Sequence, residues 1–514
     1  MKKSAGFIIF LVVLITTTTA LARTGNSNKL HEKLDQVINQ YKTVHQAVGI
    51  AVGVLKDNDV IYAKGFGVRN LETKEPVTTQ SLFHMASVSK PFVATAIMQL
   101  VEKGKVKLEG KLVDYLPYFK MDDERYKTIT IGQMLSHISG IPDVKDYEWD
   151  KPQYDDGAAE RYIRGLTKEK LIAAPGEKFS YSNMAFDILA DVIARTSGMT
   201  FEAYMKENIF KPLEMKDSTF YKPDVPGELA TTPHVISDPL NFTVSVSKIY
   251  PYSRAHAPSS TLHSNVMDMM NWAVANLNKG AFKNQRLLQP DTHELMWKPR
   301  AETNWKTYPP YKHVGLSWFI GSHKGHTIIS HGGGDEGYRT FFLLFPEQST
   351  AIVIMGNSDT FHSHDTALAV LDVLLGEEPE IPKLPISVPV AKMLLEKGTK
   401  AAVELYRQLK KNKPDNYYFR EQDLNWLGYT LVKQNRLDDA IEILKLNVAE
   451  FPKSWNVYDT LGEAYSKKGE NQLAIKNYEK ALQLNPQSDE FEKKEYARQT
   501  EVLKELKEKE GKEK

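Results

Sequence analysis

The chain has no cysteine among its 514 residues. That excludes disulfides, a thiol nucleophile, cysteine-based metal sites and lipidation at a cysteine. It does not exclude an oxidising compartment, because a large core needs no covalent staples. Charge of one sign is lacking too: 66 Lys and Arg face 65 Asp and Glu, for a net charge of +1. Such a balance leaves nucleic acid without an electrostatic footprint, so it is not expected as a partner. Beyond the N-terminus, no apolar run approaches the roughly 20 residues of a membrane helix, and no stable span is expected. What remains is a chain with 41% hydrophobic residues, suited to soluble globular structure and too long for one ordinary core.

The first residues read as an export signal. Lys2 and Lys3 precede the apolar run Phe7 to Ile15, and Ala20-Leu21-Ala22 closes the segment. A basic start, a short apolar stretch and a small-x-small end make a secretory signal over 1–22, cut after Ala22. The apolar run is about half a membrane span, which weighs against an uncleaved anchor. The expected destination is across the inner membrane, in the periplasm.

Helical periodicity begins near His31 and runs to Tyr41. Val48 to Leu55 and Val60 to Ala63, separated by Asp57-Asn58-Asp59, predict a hairpin. Thr340 to Phe345 and Ala351 to Met355 predict two more strands. Strands at both ends with helices between predict an α+β domain over 23–376 whose sheet uses both termini. Pro379, Pro382, Pro385 and Pro389 then mark 377–390 as a linker or strap. Beyond it the sequence repeats. Leu427-Gly428 matches Leu461-Gly462, Ala440-Ile441 matches Ala474-Ile475, and Pro452 matches Pro486. The common offset is the 34-residue period of a tetratricopeptide helix pair. Residues 391–490 are expected to form such repeats, with 390–418 as a degenerate first unit. The Lys/Glu-rich 491–514 is expected to be a solvated, fraying helix.

The chemistry centres on Ser87-Val88-Ser89-Lys90, directly before the apolar run Phe92 to Val101. Three residues is nearly one helical turn, so Ser87 and Lys90 share a face. A hydroxyl needs a partner to take its proton, and a desolvated lysine is one of the few groups able to do so. The tetrad alone is weak, since Ser245-Val246-Ser247-Lys248 repeats it letter for letter. That second copy runs into Ile249-Tyr250-Pro251-Tyr252, which disfavours a helix start. Two further segments offer partners. Tyr181 and Asn183 stand two apart after the turn Pro175-Gly176. Tyr181, near cations, is expected to have a depressed pKa and act as a general base. The structural alternative is a buried tyrosine with Asn183 capping the helix from Met184 to Arg195. In His331-Gly332-Gly333-Gly334, after the strand-like Thr327 to Ile329, glycines permit close approach and their amides can face an oxyanion. The alternative there is a flexible turn. His362-Ser363-His364-Asp365 has metal-ligand residue types, but no metal is expected.

Together, Ser87-x-x-Lys90, Tyr181-x-Asn183 and His331-x-Gly333 resemble the serine β-lactamase and penicillin-binding-protein superfamily, in its class C and D,D-peptidase branch. Leu135-Ser136-His137-Ile138-Ser139-Gly140-Ile141-Pro142 is similar to a further family segment. The resemblance covers roughly residues 30 to 360. It implies an antiparallel sheet flanked by helices, with an all-α subdomain. It implies no cofactor, and acylation of Ser87 followed by hydrolysis. Lys90 would relay the proton, Tyr181 would pass it to the leaving group, and Asn183 would bind a substrate amide. His331 would take the place of the family's lysine. The amides of Ser87 and Gly334 would face the oxyanion, with Gly332 and Gly333 lining the site. The implied substrate is a small molecule or peptide: a D-amino-acid peptide, stem peptide, ester or β-lactam. Residues 391–490 would take a protein or peptide ligand. The competing reading is a penicillin-binding-like sensor or scaffold with little turnover.

Overall fold

Asp57 and Asn58 both adopt left-handed backbone conformations (φ 52° and 69°), as a tight two-residue turn of the primed type requires. They join β1 (Gly49–Lys56) to β2 (Asp59–Gly67) in the expected hairpin. The computed structural model describes residues 28–303, 305, 311–488 and 490–512. The expected signal over 1–22 lies outside them. Two compact units divide the chain. One runs to Val235 and resumes over Ser245–Ile381, and the other combines Ile236–Val244 with Pro382 onward.

The first unit is built on an eight-stranded antiparallel sheet. Besides the hairpin it contains β3 (Ala301–Glu302), β4 (His313–Val314), β5 (Phe319–His323), β6 (His326–Asp335), β7 (Tyr338–Phe345) and β8 (Thr350–Gly356), in the order β2-β1-β8-β7-β6-β5-β4-β3. β1 and β8, from opposite ends of the unit, pair along their lengths, Val52 opposite Ile354. Side chains alternate across a strand. Ile352 and Ile354 therefore enter one core with Leu34, Val37, Ile38 and Tyr41 of α1 (residues 28–44) and with Val370 and Leu371 of α5 (Ser363–Leu375). Ala351, Val353 and Met355 enter the opposite core with α2 (Lys90–Glu102), α3 (Asn183–Ser197) and α4 (Val266–Leu277). Both faces are covered, which is why these strands read as continuous apolar runs. The helical part between β2 and β3 carries most of the second core.

From Pro382 onward the second unit is helical apart from the two-residue strands Leu384–Pro385 and Tyr417–Tyr418, and Ile236–Val244 adds parts of the paired strands His234–Asp238 and Thr243–Val246. Its helices are α6 (Ser387–Lys397), α7 (Thr399–Asn412), α8 (Glu421–Lys433), α9 (Leu437–Glu450), α10 (Trp455–Lys468), α11 (Asn471–Leu484) and α12 (Glu490–Lys512). The 34-residue offset maps α8 and α9 onto α10 and α11. A Cβ on Gly428 would lie 2.4 Å from Leu444 Cδ2, and one on Gly462 would lie 3.2 Å from Tyr478 Cδ2. The repeated glycine marks the point of closest helix approach.

Two expectations need correcting here. The segment 377–390 is not a bare strap. Leu384–Pro385 pairs in parallel with Tyr417–Tyr418, and α6 begins at Ser387, with Pro389 in its first turn, where a missing N–H costs nothing. The terminal Lys/Glu-rich segment is not wholly solvated: α12 buries Leu506 and Gln499, and Arg498 donates to Asp459 of α10 at 2.6 Å.

Candidate active site

Ser87 lies in a single 3-10 turn, Ala86–Ser89, that runs straight into α2. Pro91 sits in the first turn of α2, where its fixed φ suits a helix start. Ala86 is held at φ 49°, a left-handed conformation that a non-glycine residue keeps only when its surroundings enforce it. Those surroundings are visible. The Met85 amide donates to Leu262 O at 2.7 Å, and Thr340 Oγ1 of β7 donates to Met85 O at 2.7 Å. A Cβ on Gly333 would stand 2.3 Å from Met85 O and 3.1 Å from Ala86 Cβ. Gly333 therefore lets β6 lie directly against the turn that presents Ser87. The glycines lie in a strand rather than in a flexible turn, with Gly332, Gly333 and Gly334 opposite Phe341, Thr340 and Arg339.

Lys90 is fully buried. Its Nζ donates to Ser87 Oγ at 2.9 Å, to Asn183 Oδ1 at 2.5 Å and to Ser259 O at 2.7 Å. Three acceptors saturate the three N–H bonds of an ammonium. Burial nevertheless pushes the amine down to about 8. The carboxylates of Asp187, Asp335 and Asp143 oppose that fall. Against an ordinary value near 10.5, this disfavours the ammonium by about 3 kcal/mol.

The segment 180–183 is pinned by 137–143. The amides of Ser180 and Ser182 donate to His137 O at 2.7 Å and His137 Nδ1 at 3.1 Å, and Ser182 Oγ donates to Pro142 O at 2.8 Å. The helix cap is Ser182, whose hydroxyl accepts from the Ala185 amide at 3.0 Å. Asn183 is the first residue of α3 rather than its cap. That leaves the Asn183 amide free to bridge: Nδ2 donates to Asp143 Oδ1 at 3.0 Å while Oδ1 faces Lys90.

Tyr181 stacks on the buried His137 ring at 4.2 Å, and Lys90 Nζ lies 5.0 Å above its ring centroid. The Ser87 hydroxyl lies near enough to its phenol to favour the phenolate slightly. The expected depression of its pKa is not what the environment produces. Burial raises it, the Ser87 hydroxyl offsets this only in part, and the Asp143 and Asp335 carboxylates add to the rise. The lysine above the ring is outweighed, and Tyr181 is a neutral phenol at physiological pH.

His331 is buried against Phe319, ring centroids 5.2 Å apart. Its Nδ1 lies 2.7 Å from Gly332 O, and its Nε2 has no partner. Burial, reinforced by the Lys90 charge, holds its pKa down to about 3. It stands as a neutral ring.

Ser87, Tyr181 and His331 to Gly334 border one cavity of about 440 Å³. Trp305, Tyr311, Phe319, Phe341 and Phe361 give it aromatic walls, and Arg339, Asp359 and Asp365 also line it. Ser245, from the second tetrad copy, lies in the short strand Thr243–Val246 and does not line it. Among the described residues no group of three or more His, Asp or Glu side chains is arranged to hold a metal ion. His362 and His364 instead each contact Asp365, at 3.3 and 2.9 Å.

Several contributors escaped the sequence reading. Asp187, four residues after Asn183 on α3, is buried against His256 Nδ1 at 2.7 Å; its helical spacing from Asn183 was the available signal. Asp143 directly follows Ile141-Pro142, and Asp335 directly follows the glycines, so adjacency could have flagged both. Nothing local marked Ser259.

A seryl oxygen held by a buried lysine, beside a glycine-bearing strand that presses on its turn, defines the serine β-lactamase and penicillin-binding-protein class of fold and site. The chain belongs to the beta-lactamase family, whose model matches residues 34–377. A tetratricopeptide repeat model matches residues 460–488. Protein flp of Staphylococcus aureus (strain MW2) is 26% identical over 339 residues, 64% of this chain and 64% of that protein. The match thus spans somewhat under two thirds of that relative. Penicillin-binding protein 4* of Bacillus subtilis (strain 168) is 26% identical over 366 residues, covering 66% of this chain and 75% of that one. Among solved structures, the octameric penicillin-binding protein homologue from Pyrococcus abyssi superposes with a TM-score of 0.60 at 25% identity, over 71% of this chain and 81% of that one.

Proposed function

We propose that the chain is an exported serine hydrolase that cleaves an amide or ester bond through an acyl-enzyme on Ser87. The observation that carries this reading is the 2.9 Å bond between Ser87 Oγ and a buried Lys90 whose pKa lies near 8. At pH 7 about one such lysine in ten is unprotonated and able to take the Ser87 proton. Ser87 Oγ then attacks the carbonyl carbon, and the amides of Ser87 and Gly334 receive the oxyanion. The carbonyl–leaving-group bond breaks as the leaving atom takes the proton from Lys90 through the neutral Tyr181 phenol. Water, deprotonated by the same route, attacks the acyl ester. Its proton returns to Ser87 Oγ and the acid is released.

The neutral His331 bears on substrate. A family lysine there would offer a fixed cation to a carboxylate, and a ring with a pKa of about 3 does not. With aromatic cavity walls, this favours esters and D-amino-acid peptides over efficient β-lactam hydrolysis. Slow covalent labelling by a β-lactam is compatible with the same site. We assign the signal to 1–22, the destination to the periplasm, and ligand binding to the repeats over 391–490.

The test is intact-mass spectrometry of the purified protein after a fluorophosphonate and a labelled penicillin, followed by a panel of chromogenic esters, D-alanyl peptides and nitrocefin. An adduct mapped to Ser87 together with turnover of one panel member supports the hydrolase. The likeness to penicillin-binding proteins favours a second reading, a sensor or scaffold. A stable Ser87 adduct with no turnover would support that one instead.

A further inference from the structure

One carboxylate lies where three separately contributed parts of the site meet. Asp335 ends β6, directly after Gly334, and its side chain is only 9% exposed. Its Oδ2 lies 2.7 Å from His84 Nε2 and accepts the Ser260 hydroxyl. His84 is fully buried and belongs to the short strand Phe83–His84, from which the chain reaches Ser87 three residues later. Ser260 follows Ser259, whose carbonyl accepts from Lys90. The Asp335 backbone carbonyl accepts from Arg339 Nη1 at 2.7 Å, so both of its polar ends are engaged. From the strand that carries the glycines, the Asp335 side chain thus bonds both to the strand entering the Ser87 turn and to the residue next to the carbonyl that anchors Lys90.

We propose that Asp335 is a positioning residue: through His84 and Ser260, its carboxylate fixes the distance of the Gly334 amide from Ser87 Oγ and Lys90 Nζ. The proposal rests on the acyl-transfer reading above. A misplacement of about 1 Å between an oxyanion donor and a nucleophile costs about a hundredfold in rate. The carboxylate has a second, separable effect. Its charge is one of three that favour the Lys90 ammonium, with Asp187 of α3 and Asp143 of the 137–143 loop. The rings of Tyr181, Phe186, His137 and His331 also face Lys90. Removing the Asp335 charge while these stay in place makes Lys90 easier to deprotonate.

The experiment compares wild type, Asp335→Asn, Asp335→Glu and Ser260→Ala by the rate and half-saturating concentration of fluorophosphonate labelling at Ser87, from pH 6 to 10. For Asp335→Asn we expect a fall of about 30- to 100-fold in the saturating rate, with half-saturation within about threefold. We also expect the midpoint of its pH profile to move acid-ward by about half a unit. Asp335→Glu should restore the midpoint, and Ser260→Ala should lose several-fold in rate without moving it. Wild-type labelling by Asp335→Asn overturns the proposal, and so does a change confined to half-saturation or a rate loss that Ser260→Ala does not share in part; a rate loss with an unmoved midpoint supports the positioning and overturns only the charge effect on Lys90. If Asp335→Asn does not fold, an unchanged rate in Ser260→Ala overturns it and the several-fold loss supports it. If wild type itself takes no label at Ser87, the acyl-transfer reading fails. The Lys90 titration midpoint, followed by NMR of ¹³C-lysine protein and assigned with Lys90→Arg, then still decides the point. An acid-ward move in Asp335→Asn supports the coupling and an unmoved midpoint overturns it.

Discussion

The two units reach their order by different routes. In the helical unit the recurring contacts are local: Gly428 meets Leu444, and Gly462 meets Tyr478, each glycine serving the next helix along the chain. In the sheet unit Lys90 is bonded to Asn183 and Ser259, 93 and 169 positions further on. A stack of repeats spreads its stability over many similar neighbour contacts. A site drawn from distant segments concentrates its function in a few atoms. Substitutions at comparable positions should therefore act very differently in the two units.

The largest expected effect is at the nucleophile. Ser87→Ala should abolish fluorophosphonate labelling, while Ser245→Ala, in the identical tetrad, should label at the wild-type rate; mass mapping of the adduct checks both. Next is the base. Lys90→Ala should slow labelling by about a thousandfold, within the range for losing an activating general base. Stopped-flow or gel-based labelling rates measure it, and a loss under tenfold would remove Lys90 from the mechanism.

Adjacent glycines give a finer test inside the sheet unit. Gly333→Ala places a methyl 2.3 Å from Met85 O and 2.4 Å from Thr340 Oγ1, whereas Gly334→Ala meets nothing nearer than 3.6 Å. The first should cut the labelling rate by about a hundredfold and lower the melting temperature. The second should stay within several-fold of wild type. Equal effects would mean that β6 does not need to press on the Ser87 turn. The smallest effect belongs to the repeats. Gly428→Ala gains about 1 kcal/mol in helix propensity but overfills a closed contact with Leu444, for a net loss of about 1 kcal/mol. Gly462→Ala should be near neutral. Chemical denaturation reads both, and neither should alter labelling of Ser87.

The same contrast explains what could be read from the sequence. The 34-residue offset is a repeating local demand, so Gly428 and Gly462 announce the helix pairs without any knowledge of the fold. The hairpin at Asp57-Asn58 and the strands flanking Pro346 were legible for the same reason, since local turn chemistry dictates them. Ser87, Lys90, Tyr181, Asn183 and His331 were legible as motifs, but their electrical state was not. A tyrosine beside a lysine reads as acidified until the depth of burial and the carboxylates of Asp143 and Asp335 are known. The linker was misjudged because a proline in a first helical turn looks, in sequence, like a proline that breaks a helix. Ser259 was invisible because its part depends on what the fold brings next to Lys90, and Asp187 showed only as a position one helical turn beyond Asn183.

The most direct test of the account is the pH dependence of Ser87 acylation by a fluorophosphonate in the wild-type protein. A buried lysine with a pKa near 8 as the base predicts a rate that climbs about tenfold per pH unit below 8 and levels off above it. A rate that is flat from pH 6 to 10, or an adduct on any residue other than Ser87, would contradict it.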